Sequence, residues 1–182
     1  MIPPVPHRVS VANQVLRWCW GIVWAIGGRC SPRPLHGWRR WLLRLFGARI
    51  AVGVHVYPGA RIWAPWNLTM GRDSCLADEV DCYNQAEIRI GARATISQRA
   101  FLCAGSHDYT DPGHGLIVAP ISIGDDAWIC AQAIIGPGVA VGEGAVVGAG
   151  AVAMRDIPPW MVCAGNPCRP LKPRVLRQVG TS

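Results

Sequence analysis

Residues 121–157 read ISIGDDAWICAQAIIGPGVAVGEGAVVGAGAVAMRDI, and an aliphatic or alanine side chain returns at every sixth place: Ile123, Ile129, Ile135, Val141, Val147 and Ala153. Four positions after each of the first five stands a small or β-branched residue, namely Ala127, Ala133, Val139, Ala145 and Ala151. Gly directly follows the aliphatic at 124, 136, 142 and 148. The same beat runs upstream through Ile50, Val56, Ile62, then Met70, Leu76, Cys82, then Ile90, Ile96 and Leu102. Two-residue slips at Leu68-Thr69 and Ile88-Arg89 divide the series into coils of three hexapeptides. Thirteen of the fifteen positions are Ile, Leu, Val or Met, which rules out coincidence. No helical period fits a repeat of six, so the spacing predicts a solenoid of short parallel strands joined by tight corners. The aliphatic residue fills the interior, the small one lets the chain turn inward, and Gly permits the corner dihedrals.

The rest of the composition agrees with a folded chain. Of the 182 residues 51% are hydrophobic and 16% charged, which excludes disorder for want of apolar material. The net charge of +7 is unevenly placed: residues 1–50 carry eight arginines and no acid, whereas residues 51–168 carry all eleven acids against six arginines. Residues 169–182 add four more cations. A mildly acidic body with cationic ends is not the layout of a nucleic-acid binder. The eight cysteines form no CxxC pair and no metal-ligand spacing, so they read as reduced thiols of a cytosolic protein.

The chain divides into a basic, Trp-rich, helical segment at 1–49, the solenoid at 50–160 with an inserted loop at 108–122, and a basic tail at 161–182. The apolar run Trp18–Gly28 spans only about 16 Å as a helix, roughly half of a bilayer core, so a spanning helix is not expected. Two readings of residues 11–48 stand open. The helices cap the domain and fill a subunit interface, or their Trp and Arg side chains, among them Arg39, Arg40 and Arg44, meet an anionic membrane surface.

The hexapeptide pattern of residues 50–173 resembles the left-handed parallel β-helix acyltransferases. Four segments carry a closer resemblance to the colanic acid biosynthesis type of acetyltransferase, akin to the maltose and galactoside O-acetyltransferases. They are PRPLHGWRRWLLRLFGA (32–48), PWNLTMG (65–71), ISQRAFLCAGSHDYTDP (96–112) and IPPWMVCAGNPCRPLKPR (157–174). The resemblance implies an all-β, left-handed β-helix that assembles as a homotrimer, with acetyl-CoA bound between neighbouring solenoids. It further implies transfer of the acetyl group to a hydroxyl of a sugar or lipid-linked saccharide in exopolysaccharide biosynthesis. An amino sugar or small alcohol as acceptor, and a non-catalytic scaffold, are the competing readings. The histidine array of the β-helix carbonic anhydrases has no counterpart in His55, His107 and His114, so no metal is expected.

The break between Leu102 and Ile123, where 21 residues replace six, is where such a scaffold carries function. At its mouth stands His107, which aligns with the catalytic histidine of the sugar O-acetyltransferases. Its imidazole can take the proton of an acceptor hydroxyl as that oxygen attacks the thioester. Asp108 and Asp111 either orient the imidazole or cap turns, and His114 reads as a loop residue outside the site. One coil earlier, Asp81, Tyr83 and Asn84 are the candidates for acceptor binding, with a corner Asn as the alternative for Asn84. On the donor side the resemblance places Trp128 against the pantetheine arm and the small Ala131 and Ala149 beside it. It places Arg155, Arg169 and Lys172 near the nucleotide phosphates.

Overall fold

The computed structural model describes residues 3, 5–7 and 10–176. Arg8 and Arg177, counted among the cations above, and the end of the expected tail lie outside the described residues. Three parallel sheets form the walls of the solenoid, one strand per coil. The first face stacks Arg49–Ile50, Leu68–Met70, Ile88–Ile90, Ile121–Ile123 and Ala140–Val141. The second stacks His55–Val56, Cys75–Leu76, Thr95–Ile96, Trp128–Ile129, Val146–Val147 and Met161–Ala164. The third stacks Arg61–Ile62, Asp81–Tyr83, Phe101–Cys103, Ile134–Ile135 and Val152–Ala153.

All fifteen repeat positions are buried, none more than 6% exposed, and together they form one continuous core. Coils lie close enough that some corners admit no side chain. A Cβ at Gly71 would stand 2.5 Å from the Ala92 nitrogen, a backbone atom that cannot move aside. Gly71→Ala is therefore expected to cost about 1–3 kcal/mol, read as a lower urea midpoint with an unchanged slope.

The N-terminal helices α1 (Val11–Val23) and α2 (His36–Leu45), joined through a π-helical turn at Trp24–Arg29, close the end of this stack. The first coil donates its N–H groups to the second, as Ala51 does to Met70 (2.9 Å) and Trp63 to Cys82 (3.1 Å). Its carbonyls on the other side meet no further coil. Five of them are instead taken by side chains of the cap. Arg44 Nη2 donates to Ile50 (2.6 Å), Arg40 Nη1 to Val54 (2.9 Å) and Arg39 Nε to Val56 (2.6 Å). Trp24 Nε1 donates to Ala60 (2.8 Å) and Trp20 Nε1 to Ile62 (2.7 Å). An open carbonyl edge is both a desolvation cost and a template for pairing with another chain, and five donors remove both hazards. The capping reading is thus seen in atomic contacts, and Arg39, Arg40 and Arg44 face the coil with these groups. Trp20 and Trp24 stack at 5.0 Å and join the core.

The boundaries expected from the sequence shift in two places. The insertion is not a loop over 108–122. It is an antiparallel arm of Gly105–His107 and Leu116–Val118, and Ile121–Ile123 has already returned to the first face beside Ile88–Ile90. Val5–Pro6 adds a third strand against Leu116–Val118, tying the N-terminus to the arm. The segment after 160 is not a separate tail. Met161–Ala164 pairs in parallel with Val146–Val147, and Arg169–Pro173 folds back antiparallel upon it.

Candidate active site

The arm leaves the solenoid at the corner between the third and first faces. Ser106, four positions after Leu102 and so at the place of an inward small residue in the repeat, is exposed because the chain departs after the buried Ala104. His107 is exposed at the end of the outgoing strand, and its Nδ1 lies 2.7 Å from the carbonyl oxygen of His114. A carbonyl only accepts, so the bond requires the proton on Nδ1 and leaves the lone pair of neutral imidazole on Nε2. The turn that brings His114 there is fixed by two carboxylates. Asp108 Oδ1 accepts from the Thr110 amide and hydroxyl (2.8 and 2.6 Å). Asp111 takes the amides of Gly113 and Gly115 (2.9 and 3.1 Å). The hydroxyl and amide of Thr110 hold the Asp108 carboxyl below its ordinary range.

Both aspartates are therefore turn caps, the second of the two readings given above. The imidazole is oriented by a backbone carbonyl, that of His114, which sits at φ +45°. Side-chain chemistry gave no signal for it. The only hint in the sequence was the Asp-Pro-Gly-His-Gly turn.

The acceptor candidates behave differently from one another. Asn84 is fully buried, with Oδ1 accepting from the Ala64 amide (3.0 Å) and Nδ2 donating to the Ala64 carbonyl (2.6 Å). Asn67 Nδ2 braces the same corner from below, donating to the carbonyls of Asn84 and Gln85 (3.1 and 3.0 Å). Asn84 thus braces this corner, with one N–H and one oxygen lone pair of its amide left over. Tyr83 is partly exposed on the third face, 4.9 Å from the Trp63 ring and 6.3 Å from that of Phe101. Asp81 shares this face, and partial burial raises its carboxyl against the opposing pull of Arg61.

Sequence reasoning missed Gln85. Its Nε2 donates to the Tyr83 hydroxyl, while its buried Oε1 has no hydrogen-bond partner among the described residues. A Cβ on Gly105, at the root of the arm, would meet Tyr83 Cε1 at 3.3 Å and Gln85 Cβ at 3.4 Å. The Tyr83–Gln85 pair thus lies directly under the strand that carries His107.

The donor candidates other than Arg155 lie on the second face and its edges, whereas Arg155 stands between the third-face strand Val152–Ala153 and the Ile157 bridge to Val141 of the first face. Trp128 projects from the second face at 46% exposure, and its Nε1 donates to Ser97 Oγ (2.9 Å). A groove of about 450 Å³ runs beside it, lined by Arg93, Thr95, Ser97, Asp126 and Arg174. Ala131 and Ala149 occupy successive turns at the corner between the second and third faces, joined by the Gly150 amide to the Ala131 carbonyl (3.0 Å). A Cβ at Gly150 would meet nothing within 4 Å, so this corner is open to close approach. Arg155, Arg169 and Lys172 are all exposed, the latter two on the terminal strand Arg169–Pro173. Arg174 was not singled out from the sequence. It is held in the groove wall by bonds to the carbonyls of Asp126 and Gly144 (2.8 and 2.9 Å). All eight cysteines are free thiols, and burial pushes that of Cys82 upward.

The chain is similar to known proteins along nearly its whole length. Residues 120–153 match the family model described as bacterial transferase hexapeptide (six repeats). The solved structure of a hexapeptide-repeat acetyltransferase from Vibrio cholerae superposes with a TM-score of 0.82 at 26% identity, covering 91% of this chain and 94% of that one. A maltose O-acetyltransferase from Clostridium difficile 630 superposes at 0.79 with 25% identity, over 90% and 89% of the two chains. WcaF of Escherichia coli (strain K12), named for colanic acid biosynthesis acetyltransferase, is 39% identical over 171 residues, 94% of each chain. With the parallel coils, the hexapeptide repeat and that identity, the chain belongs to the family of hexapeptide-repeat acetyltransferases.

Proposed function

We propose that this acetyltransferase moves an acetyl group from acetyl-CoA to a hydroxyl of a sugar, free or lipid-linked, in cytoplasmic exopolysaccharide assembly. The observation that carries the reading is the His107 Nδ1 bond to the His114 carbonyl, which leaves Nε2 as a base on an exposed arm. His107 Nε2 takes the proton of the acceptor hydroxyl while that oxygen bonds to the thioester carbonyl carbon. The imidazolium then returns the proton to the departing thiolate, so the histidine ends as it began. The donor supplies the activated acyl carbon, and no protein nucleophile is required.

The positions of the candidate residues support an assembly of several copies. His107 leaves at the edge between the third and first faces, whereas Trp128, Ala131 and Ala149 lie on the second face and its edge with the third. The third face separates the two sets within one chain. A neighbouring solenoid brings its donor edge to this chain's arm, and a homotrimer does so three times over. The Vibrio cholerae relative has been crystallised with acetyl coenzyme A, and a galactoside acetyltransferase of the same fold with coenzyme A. In this chain the exposed indole of Trp128 offers a flat wall for the pantetheine arm, and the small corner at Ala131 and Ala149 admits it closely. Arg155, Arg169 and Lys172 supply cations for the nucleotide phosphates. Tyr83, Asn84 and Gln85 stand on the acceptor side at the root of the arm, and Asp81 lies at the other end of the Tyr83 strand.

Trp128→Ala is expected to raise the KM for acetyl-CoA roughly tenfold, about 1.4 kcal/mol, with kcat nearly unchanged. Equal KM values in steady-state thiol-release assays contradict the donor assignment. The function itself is tested by thiol release from acetyl-CoA against a panel of mono- and oligosaccharides that includes amino sugars, with products identified by mass. Acceptor-dependent release with an O-acetylated product is expected. N-acetylated amino sugar as the only product moves the acceptor class, and no release across the panel contradicts the sugar reading.

A further inference from the structure

The cap has two faces, and only the inner one is spent on the carbonyl edge of the first coil. On α1 the positions opposite Trp20 and Trp24 are Val11, Val15, Trp18 and Ile22, a stripe at spacings of four, three and four that Ile26 extends. Trp18 is 70% exposed and Ile26 71%, values found in side chains that touch little of their own chain. From α2, Trp38 and Trp41 stack on each other at 5.1 Å and are likewise exposed, together with Leu45. Trp38 Nε1 donates to the Gly27 carbonyl (2.8 Å), which joins this second apolar row to the turn beside Ile26. An apolar surface of this extent on a folded chain marks an interaction site.

Charge selects the occupant. No Asp or Glu occurs in residues 1–50, and Arg29 and Arg44 are exposed around the cap, whereas Arg49 on the first coil pairs with Glu87 (3.8 Å). Arg40 and Arg44 point inward to the Val54 and Ile50 carbonyls, so they add to the positive field of the cap without touching what meets its outer face. Two such caps meeting face to face would bring like charges together. A surface of phosphate headgroups over hydrocarbon satisfies both the arginines and the indoles, whose rings are apolar and whose N–H groups favour the wet interface. The cap covers the end of the stack, so its outer side points along the solenoid, away from the three sheet walls.

We propose that this outer face is a membrane-docking surface seated in the headgroup layer of a bilayer containing anionic lipid. The test uses the full chain and sedimentation with vesicles of phosphatidylcholine, alone or mixed with phosphatidylglycerol. It needs no acetyl transfer, so its outcome is independent of the acceptor reading. The wild type is expected to partition into the mixed vesicles more strongly than into the neutral ones. The combined Trp18→Gln, Ile22→Gln and Trp41→Gln variant, whose sites lie outside the core, is expected to lose at least roughly tenfold in partition while its circular dichroism and urea midpoint hold. Equal partition of the two proteins, or none by the wild type, overturns the proposal. So does a larger lipid-independent assembly that the triple variant abolishes, since the face would then be buried between copies.

Discussion

His107→Ala is expected to lower kcat by about 10²–10⁴-fold, the usual contribution of a positioned general base, while the urea midpoint stays within about 0.5 kcal/mol of the wild type. The second half of that expectation follows from the exposure of the side chain and from its single hydrogen bond among the described residues, to the His114 carbonyl. The loss is expected in kcat more than in the KM for acetyl-CoA, because the imidazole acts on the proton of the acceptor hydroxyl and holds neither the pantetheine arm nor the phosphates of the donor. His107→Asn keeps an Nδ donor for the His114 carbonyl but has no basic nitrogen, and it is expected to fall with the alanine variant. If the asparagine variant keeps wild-type turnover, the histidine holds the arm and does not move a proton.

Arg39→Ala is expected to be the most destabilising single change in the cap, by about 3–5 kcal/mol. Arg39 is fully buried, and besides the Val56 carbonyl its guanidinium satisfies Ser31 Oγ (2.7 Å) and the carbonyls of Pro32 (2.9 Å) and Arg33. Burial lowers its pKa, with the charge of Asp78 acting in the opposite sense, yet a guanidinium remains charged throughout. Its removal strands several buried acceptors at once and leaves a cavity beneath α2. Arg40→Ala gives up one bond from a half-buried position, and about 1 kcal/mol is expected. Urea unfolding at fixed protein concentration separates the two. Equal small losses would mean that water replaces the cap donors without cost, and the end of the stack would need another account.

These residues mark where the sequence was legible. The repeat was plain because each coil imposes the same demand, an aliphatic side chain inside and a small one at the corner. Fifteen echoes of that demand outweigh local noise, and all fifteen positions are buried as expected. The resemblance gave the family and pointed to His107. The partners of the arginines were hidden, because a backbone carbonyl left open at the end of a stack leaves no mark in its own side chain. Arg39 on an amphipathic helix reads the same whether it faces lipid phosphate or Val56. Asn84 posed a similar ambiguity: a polar residue that interrupts a repeat serves equally as a ligand or as a brace, and its two bonds to Ala64 reveal the brace. His114 contributes through its main chain, and Val5–Pro6 is a two-residue strand containing proline, a residue that sequence patterns place outside sheets.

The most direct test of the account is calorimetric titration of the purified full chain with acetyl-CoA, with free coenzyme A alongside. Saturable binding near one site per chain, weakened in Trp128→Ala, is the predicted result. A folded protein that takes up neither ligand would contradict the account, for the solenoid would then carry a histidine arm with no acyl donor to serve it.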